Sequence, residues 1–330
     1  MNLFHKLYNN LFPKYLYHDK YGKIYLPDYN LNVEFSNNVP KVYNSEGRQM
    51  EFFFVKDTHS AHSPFLNSKY IIWDRFNFGL DTHFYSHKNM LHQMGKPIYK
   101  YGYLAESESL VPDDYKLFEK HKGLENDFDL IFTQSDKILN SIENSRFAPI
   151  SAGLWFGNSI NGGILDKNSY KEKTKNISIV SSNKLNSSLH KFRYDLAFKC
   201  KNERLADTYG TFDGGPLIKL ADSLTDYRYS IVIENDISDY WFTERITSCF
   251  AAMTIPIYCG ARKIGNFFNT DGIVFIGPED YDDINKILLQ CTEKEYFARL
   301  PAIMENFEKS KRYISAFDYI YEEYLINRKK

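Results

Sequence analysis

Residues 227–260 read YRYSIVIENDISDYWFTERITSCFAAMTIPIYCG. The apolar run SIVI stops at Glu234 and Asn235; nine residues after Asn235 come Glu244 and Arg245, and the chain then turns apolar again. SIVI is short enough for a buried strand, and Phe242–Met253 suits a helix entered through Thr243, Glu244 and Arg245. TIPIYCG (254–260) is a second short strand. Strand, polar loop, helix and strand make the unit of a parallel sheet with helices on its faces. Ligands of such sheets bind beyond the carboxyl ends of the strands, where Glu234 and Asn235 fall.

Outward from this stretch the same beat continues. NISIVSSNK (176–184) is a strand ending in a polar loop, LHKFRYDLAFKCK (189–201) has helical spacing, and ADTYG (206–210) and DGIVFIG (271–277) are further short strands. YDDINKILLQCTEKEYFARLPAIMENF reads as helices broken near Pro301. Upstream, strand patterns occur at 24–35, 51–57, 68–76 and 96–107, and FDLIFTQSDKILNSI (128–142) is a strand running into a helix that Thr133 or Ser135 can cap. Between the halves, GNSINGGILDKNSYKEKTKN (157–176) is polar with a Gly-Gly pair and reads as an exposed connection. The expectation is two α/β domains, 1–160 and 161–330, with the last helix able to pack back on the first.

A chain of 330 residues with 43% hydrophobic residues accommodates two such cores. With 41 basic against 42 acidic residues, it lacks the excess of cations on which duplex binding leans, so no nucleic-acid partner is expected. Cys200, Cys249, Cys259 and Cys291 have neither zinc-site spacing nor the density of a disulfide scaffold; Cys249 and Cys259, in apolar surroundings, are expected to be buried thiols, and a reducing compartment is expected. No run of ~20 apolar residues is present, so the chain is expected not to span a membrane. The expected location is the cytoplasm, with the basic and aromatic N-terminus able to touch a membrane surface peripherally.

The polar clusters have a common chemistry. The free N–H groups of a helix start favour an anion, and Arg245 adds a planar donor fork suited to phosphate. Ionised Glu244 only accepts hydrogen bonds and so suits a ribose diol. With Tyr240, Trp241 and Phe242 nearby, these describe a nucleotide; the plainer alternative is a solvated helix start with a capping carboxylate. One strand earlier, Ser181, Ser182 and Asn183 follow the run ISIV, and Lys184, His190, Lys191 and Arg193 come next. Two such clusters at strand ends of one domain strengthen the nucleotide reading.

YRYSIVIEN and DYWFTERITSCFAAMTIPIYCG together resemble the donor-binding signature of the α-1,3/α-1,4-fucosyltransferases, glycosyltransferase family 10. SIVSSNK followed by HKFRYDLA is similar to the motif preceding it, and FDLIFTQSD with RFAPISAGLWF to the junction before that; the likeness covers roughly residues 100–310. It implies the GT-B type, two Rossmann-like domains facing a central cleft, with the acceptor and the base in the first half and GDP-fucose in the second. It also implies inverting transfer of fucose to a glycan hydroxyl, in an α-1,3-type linkage, without a catalytic metal or other cofactor. By motif position, Arg193 and Arg245 contact the diphosphate, Glu244 the ribose, and Asn235 the nucleotide or sugar; Ser182, Asn183, Glu234, Trp241 and Thr243 complete the expected donor site. Trp241 stands where relatives commonly carry Tyr, and Arg245 where they commonly carry Lys. The alternatives are another GDP-hexose as donor, or a nucleotide-sugar-binding protein without catalysis.

A base is still required, and YLAESESLVP supplies two candidates, Glu106 and Glu108, with Glu106 favoured. Read as a strand end, the alternation puts both on one face. Tyr99, Tyr101 and Tyr103 beside them are compatible with sugar stacking. His59 and His62, and His83 and His87, have locally metal-like spacing but no third ligand, and are read as acceptor-side or surface histidines.

Overall fold

The computed structural model describes residues 32–36, 39–57, 68–75, 77–149 and 171–328. These form two compact units: residues up to 105 with 112–149 and 315–328 make the first, and 106–111 with 171–314 the second. The connection expected at 157–176, the boundary near 160, His59, His62 and the N-terminal stretch fall wholly or largely outside the described residues.

In the first unit, β1 (Asn32–Ser36) and β2 (Val39–Tyr43) pair antiparallel. The main sheet holds β3 (Glu51–Lys56), β4 (Ile71–Asp74), β5 (Thr82–Ser86), β6 (Tyr99–Tyr103), β7 (Leu130–Thr133) and β8 (Ser145–Phe147). Its order is β4-β3-β5-β6-β7-β8 and every pairing is parallel. Short helices α1 (Pro112–Tyr115), α2 (Leu117–Lys120) and α3 (Asp136–Ser141) link the later strands, α3 capped by Ser135, which accepts from the Ile138 N–H. Phe53, Trp73, Phe84 and Phe132 form an aromatic core, closed by Phe317, Ile320, Tyr321 and Leu325 from the end of the chain.

The second unit is built on β9 (Lys175–Val180), β10 (Asp207–Tyr209), β11 (Tyr227–Ile233), β12 (Ile255–Cys259) and β13 (Val274–Phe275), in the order β10-β9-β11-β12-β13, all parallel. Its helices are α4 (Ser188–Glu203), α5 (Glu244–Ala251), α6 (Ile284–Gln290) and α7 (Glu293–Ser310); α8 (Ala316–Ile320) belongs to the first unit. β11 is central because Tyr227 and Tyr229–Ile233 are buried while only Arg228 is partly exposed. Burying each of Ile231, Val232 and Ile233 stabilises the sheet by roughly 1.5–3 kcal/mol. The second sheet thus carries the doubly wound order 2-1-3-4-5 and the first the same order extended by a sixth strand, 2-1-3-4-5-6, as expected of two Rossmann-like domains; in each the chain reverses direction across the sheet between the first and third strands. In the second unit that point lies between the carboxyl ends of β9 and β11.

Four expectations are corrected. Pro301 does not break its helix: α7 runs through it. Pro301 and Phe297, whose carbonyl loses its donor, lie on the exposed side, where that carbonyl is open to solvent, while Tyr296, Ile303 and Phe307 pack the other face. Tyr101 and Tyr103 are core residues rather than a sugar platform, and the hydroxyls of Tyr99 and Tyr103 donate to the carbonyls of Arg328 and Pro149. β6 ends at Tyr103, so strand alternation does not govern Glu106 and Glu108; Glu106 sits in a bend and Glu108 in a turn. Finally, His83 and His87 are buried, not surface residues. His83 Nδ1 lies 2.8 Å from the Tyr85 hydroxyl, and burial lowers its pKa to about 4; His87 Nε2 accepts from the Ala105 N–H, and its Nδ1 lies 3.0 Å from Asp114.

Candidate active site

Two glycines permit close approach at the strand ends that flank this point, one between β10 and β9 and one between β12 and β11. Gly210 has φ of +99°, and a Cβ there would lie 2.1 Å from the Ser181 carbonyl oxygen, so the end of β10 folds tightly against that of β9. A Cβ at Gly260 would lie 2.3 Å from the Tyr258 hydroxyl and 2.5 Å from Glu234 Cγ. The glycine closing β12 therefore leaves room for Glu234 and Tyr258 to meet where a side chain at this position would stand.

Glu234 is completely buried. One carboxylate oxygen accepts from the Thr243 N–H (3.0 Å), the other from the Thr243 hydroxyl (2.7 Å), and the Tyr258 phenol also bonds to it. Thr243 in turn caps α5, accepting from the Arg245 N–H at 3.2 Å. Glu234 thus fixes the start of α5 from within, with no carboxylate oxygen facing outward. Burial raises its pKa to about 7, against the opposing hydrogen bond from Thr243 and the charge of Arg245.

Asn235, one residue further, joins two other expected residues. Its Oδ1 accepts from Trp241 Nε1 at 2.8 Å, and its Nδ2 donates to Glu106 Oε1 at 3.1 Å. The same Glu106 oxygen accepts from the Ser107 N–H at 2.8 Å, and the Ser109 N–H donates to Asp236 at 3.2 Å, tying residues 106–109 to the end of β11. Trp241 is buried, so its indole N–H performs an internal task. Glu108 follows in the turn at 108–110.

Glu244 is half-buried, but its Oε2 is sealed from solvent and accepts no hydrogen bond. Burial raises its pKa, Arg245 lowers it, and Glu106 is close enough to raise it further. On the β9 side, Ser187 caps α4 by accepting from the His190 N–H at 3.1 Å. Arg193, one turn on, is buried and donates through Nη1 to the Ile233 carbonyl at 2.7 Å. Burial, and next Arg245, pull its pKa down to about 9, so it remains cationic at neutral pH. Two guanidiniums that repel each other beside an unpaired carboxylate oxygen suit an anion and a neighbouring hydroxyl donor. Ser182 and Asn183 lie on the loop after β9; Ser182 is half-buried, with its hydroxyl 3.4 Å from the Lys184 N–H it accepts, and Asn183 is exposed.

The structure therefore gathers Arg193, Glu234, Asn235, Trp241, Thr243, Glu244, Arg245 and Glu106 at one end of the second sheet, with Glu234 and Trp241 turned to internal work. Sequence reasoning passed over the burial of His190 and the bond from Asn235 to Glu106; the only local signal for the first was its place one helical turn before Arg193. Among the described residues no group of three or more His, Cys, Asp or Glu is arranged to hold a metal ion, and no helix is long and apolar enough to cross a membrane. The four cysteines are free and buried, and burial raises each thiol's pKa.

No protein-family model matches the chain, and no curated protein does. Among solved structures it is similar to an α1,3-fucosyltransferase with GDP, at 15% identity over 83% of this chain and 90% of that one, TM-score 0.49. It is also similar to the UDP-forming α,α-trehalose-phosphate synthase of Burkholderia xenovorans in complex with glucose-6-phosphate. There the identity is 12%, over 73% of this chain and 72% of that one, TM-score 0.45.

Proposed function

We propose that the chain is an inverting glycosyltransferase that moves fucose from GDP-fucose to a glycan hydroxyl. The observation that carries the reading is the cluster at the β9/β11 strand ends. Two buried or half-buried arginines, an unpaired glutamate oxygen and a second glutamate held by Asn235 meet where doubly wound sheets take nucleotides. In this reading Arg193 and Arg245 hold the diphosphate and Glu244 accepts from the ribose. Glu106 removes the acceptor hydroxyl's proton as that oxygen attacks the anomeric carbon. The bond from that carbon to the phosphate oxygen breaks, its electron pair leaves with GDP, and the two arginines stabilise the departing charge. The choice of GDP and of fucose rests on the sequence resemblance.

The test screens GDP-fucose, other GDP-hexoses and UDP-sugars for binding and hydrolysis, followed by transfer with Glu106→Gln and Glu108→Gln. Preferential binding of GDP-fucose, with transfer lost only in Glu106→Gln and donor affinity kept, is the expected result. Equal or absent binding across the panel would overturn the donor assignment. Normal transfer by Glu106→Gln would remove it as the base.

A further inference from the structure

We propose that His190 is a third ligand of the anion held by Arg193 and Arg245, and that its ring takes up a proton as a nucleotide diphosphate binds. The inference rests on the nucleotide-sugar reading above and adds to it a residue and a proton. His190 lies in the first turn of α4, a 16-residue helix, and is only 5% exposed. Its Nδ1 is sealed from solvent and has no hydrogen-bond partner. Buried ring nitrogens are ordinarily paired, so this one calls for a partner that arrives from outside.

The charged groups acting on the ring are all cations: Arg193 on its own helix, Arg245 from α5 and Lys184 from the loop after β9. The carboxylates of the cluster, Glu234 and Glu244, act on Arg193 instead. Burial first, then these cations, push the imidazole down to about 4, so in the free protein it is neutral at physiological pH. A diphosphate reverses that field, offsetting the three cations and offering Nδ1 an acceptor. One proton then passes from solvent to the imidazole on binding and returns when the nucleotide leaves. The balance is closed without any other reactant.

A GDP-sugar suits the measurement because its phosphates are both esterified and carry no proton to exchange near neutral pH. Calorimetric titration of GDP-fucose at about pH 6, in buffers of differing ionisation heat, reads proton uptake directly. The apparent binding heat is expected to rise with buffer ionisation heat, and this dependence is expected to vanish in His190→Gln. That variant keeps a polar side chain, so unfolding should stay cooperative, while affinity falls about 10-fold at low pH and converges with the parent as pH rises. Binding without buffer dependence in the parent, or with unchanged dependence in His190→Gln, overturns the inference and leaves the donor reading standing. Absence of binding by GDP-fucose, other GDP-hexoses and GDP overturns both.

Discussion

Replacing Arg193 with Met should separate stability from function, moving them in opposite directions. In the free protein the guanidinium is buried and repelled by Arg245, which pulls its pKa down to about 9. At ~1.4 kcal/mol per pH unit, that displacement corresponds to roughly 5 kcal/mol against the charged form. Because the folded-state pKa is depressed, the cost is in force at every pH below about 9 and is relieved only above it. Against it stands the bond to the Ile233 carbonyl, a charge-assisted contact of about 1.5–3 kcal/mol. The methionine stem fills much of the same space. Arg193→Met should therefore leave the free protein as stable as the parent or about 1–3 kcal/mol more so at neutral pH. It should also weaken GDP binding about 10- to 100-fold. Urea unfolding with and without GDP reads both quantities. A free protein destabilised by about 2 kcal/mol or more would show that Arg193 is a strut for β11, and undiminished GDP stabilisation would remove it from the anion site.

Other variants test the supports of the site. Gly260→Ala drives a methyl group into Tyr258 and Glu234, and should cost roughly 1–3 kcal/mol in urea unfolding. Trp241→Phe removes the donor that orients Asn235. Its kcat should fall about 10-fold with little change in donor KM, since a bond to Glu106 rather than to the nucleotide is disturbed. Glu234 has a raised folded pKa of about 7, so the native state holds its proton longer and stability falls as pH rises through the interval up to about 7. Glu234→Gln should flatten that part of a stability–pH curve. Lys173→Met leaves the carbonyls of Leu224, Thr225 and Ala252 without the amine that now donates to them; because burial lowers that amine's pKa to about 7, the loss seen in unfolding measurements should be smallest below pH 7 and widen as pH rises above it.

Local pattern was enough for β9, β11, β12 and α4, because a short apolar run and a 3.6-residue period each have one plausible partner geometry. It also placed Asn235 just after a strand and Thr243–Arg245 at a helix start. It failed where a partner distant in sequence decides. Glu106 reaches Asn235 across 129 positions, and nothing in YLAESES announces that bond. Tyr99, Tyr101 and Tyr103 alternate as an exposed strand would, yet β6 lies inside a sheet whose faces are covered, the outer cover including residues from the chain's last segment. Pro301 misled because a helix break is read from the backbone alone. The packed side of α7 outweighs one missing bond on its wet side.

The assignment of residues 106–111 to the second unit constrains how the molecule can be divided. A piece beginning after residue 153 and ending at 314 would carry every strand of the second sheet yet lack Glu106, Ser107 and Ser109, leaving Asn235 and Asp236 without the partners they hold here. Chimeras made by exchanging halves at a single junction near residue 160 would likewise import a foreign 106–111 segment to face a native strand end. Such hybrids should assemble both sheets and still misplace the glutamate. Successful exchange of halves requires carrying this six-residue segment with the unit it belongs to, as an insertion moved together with its host.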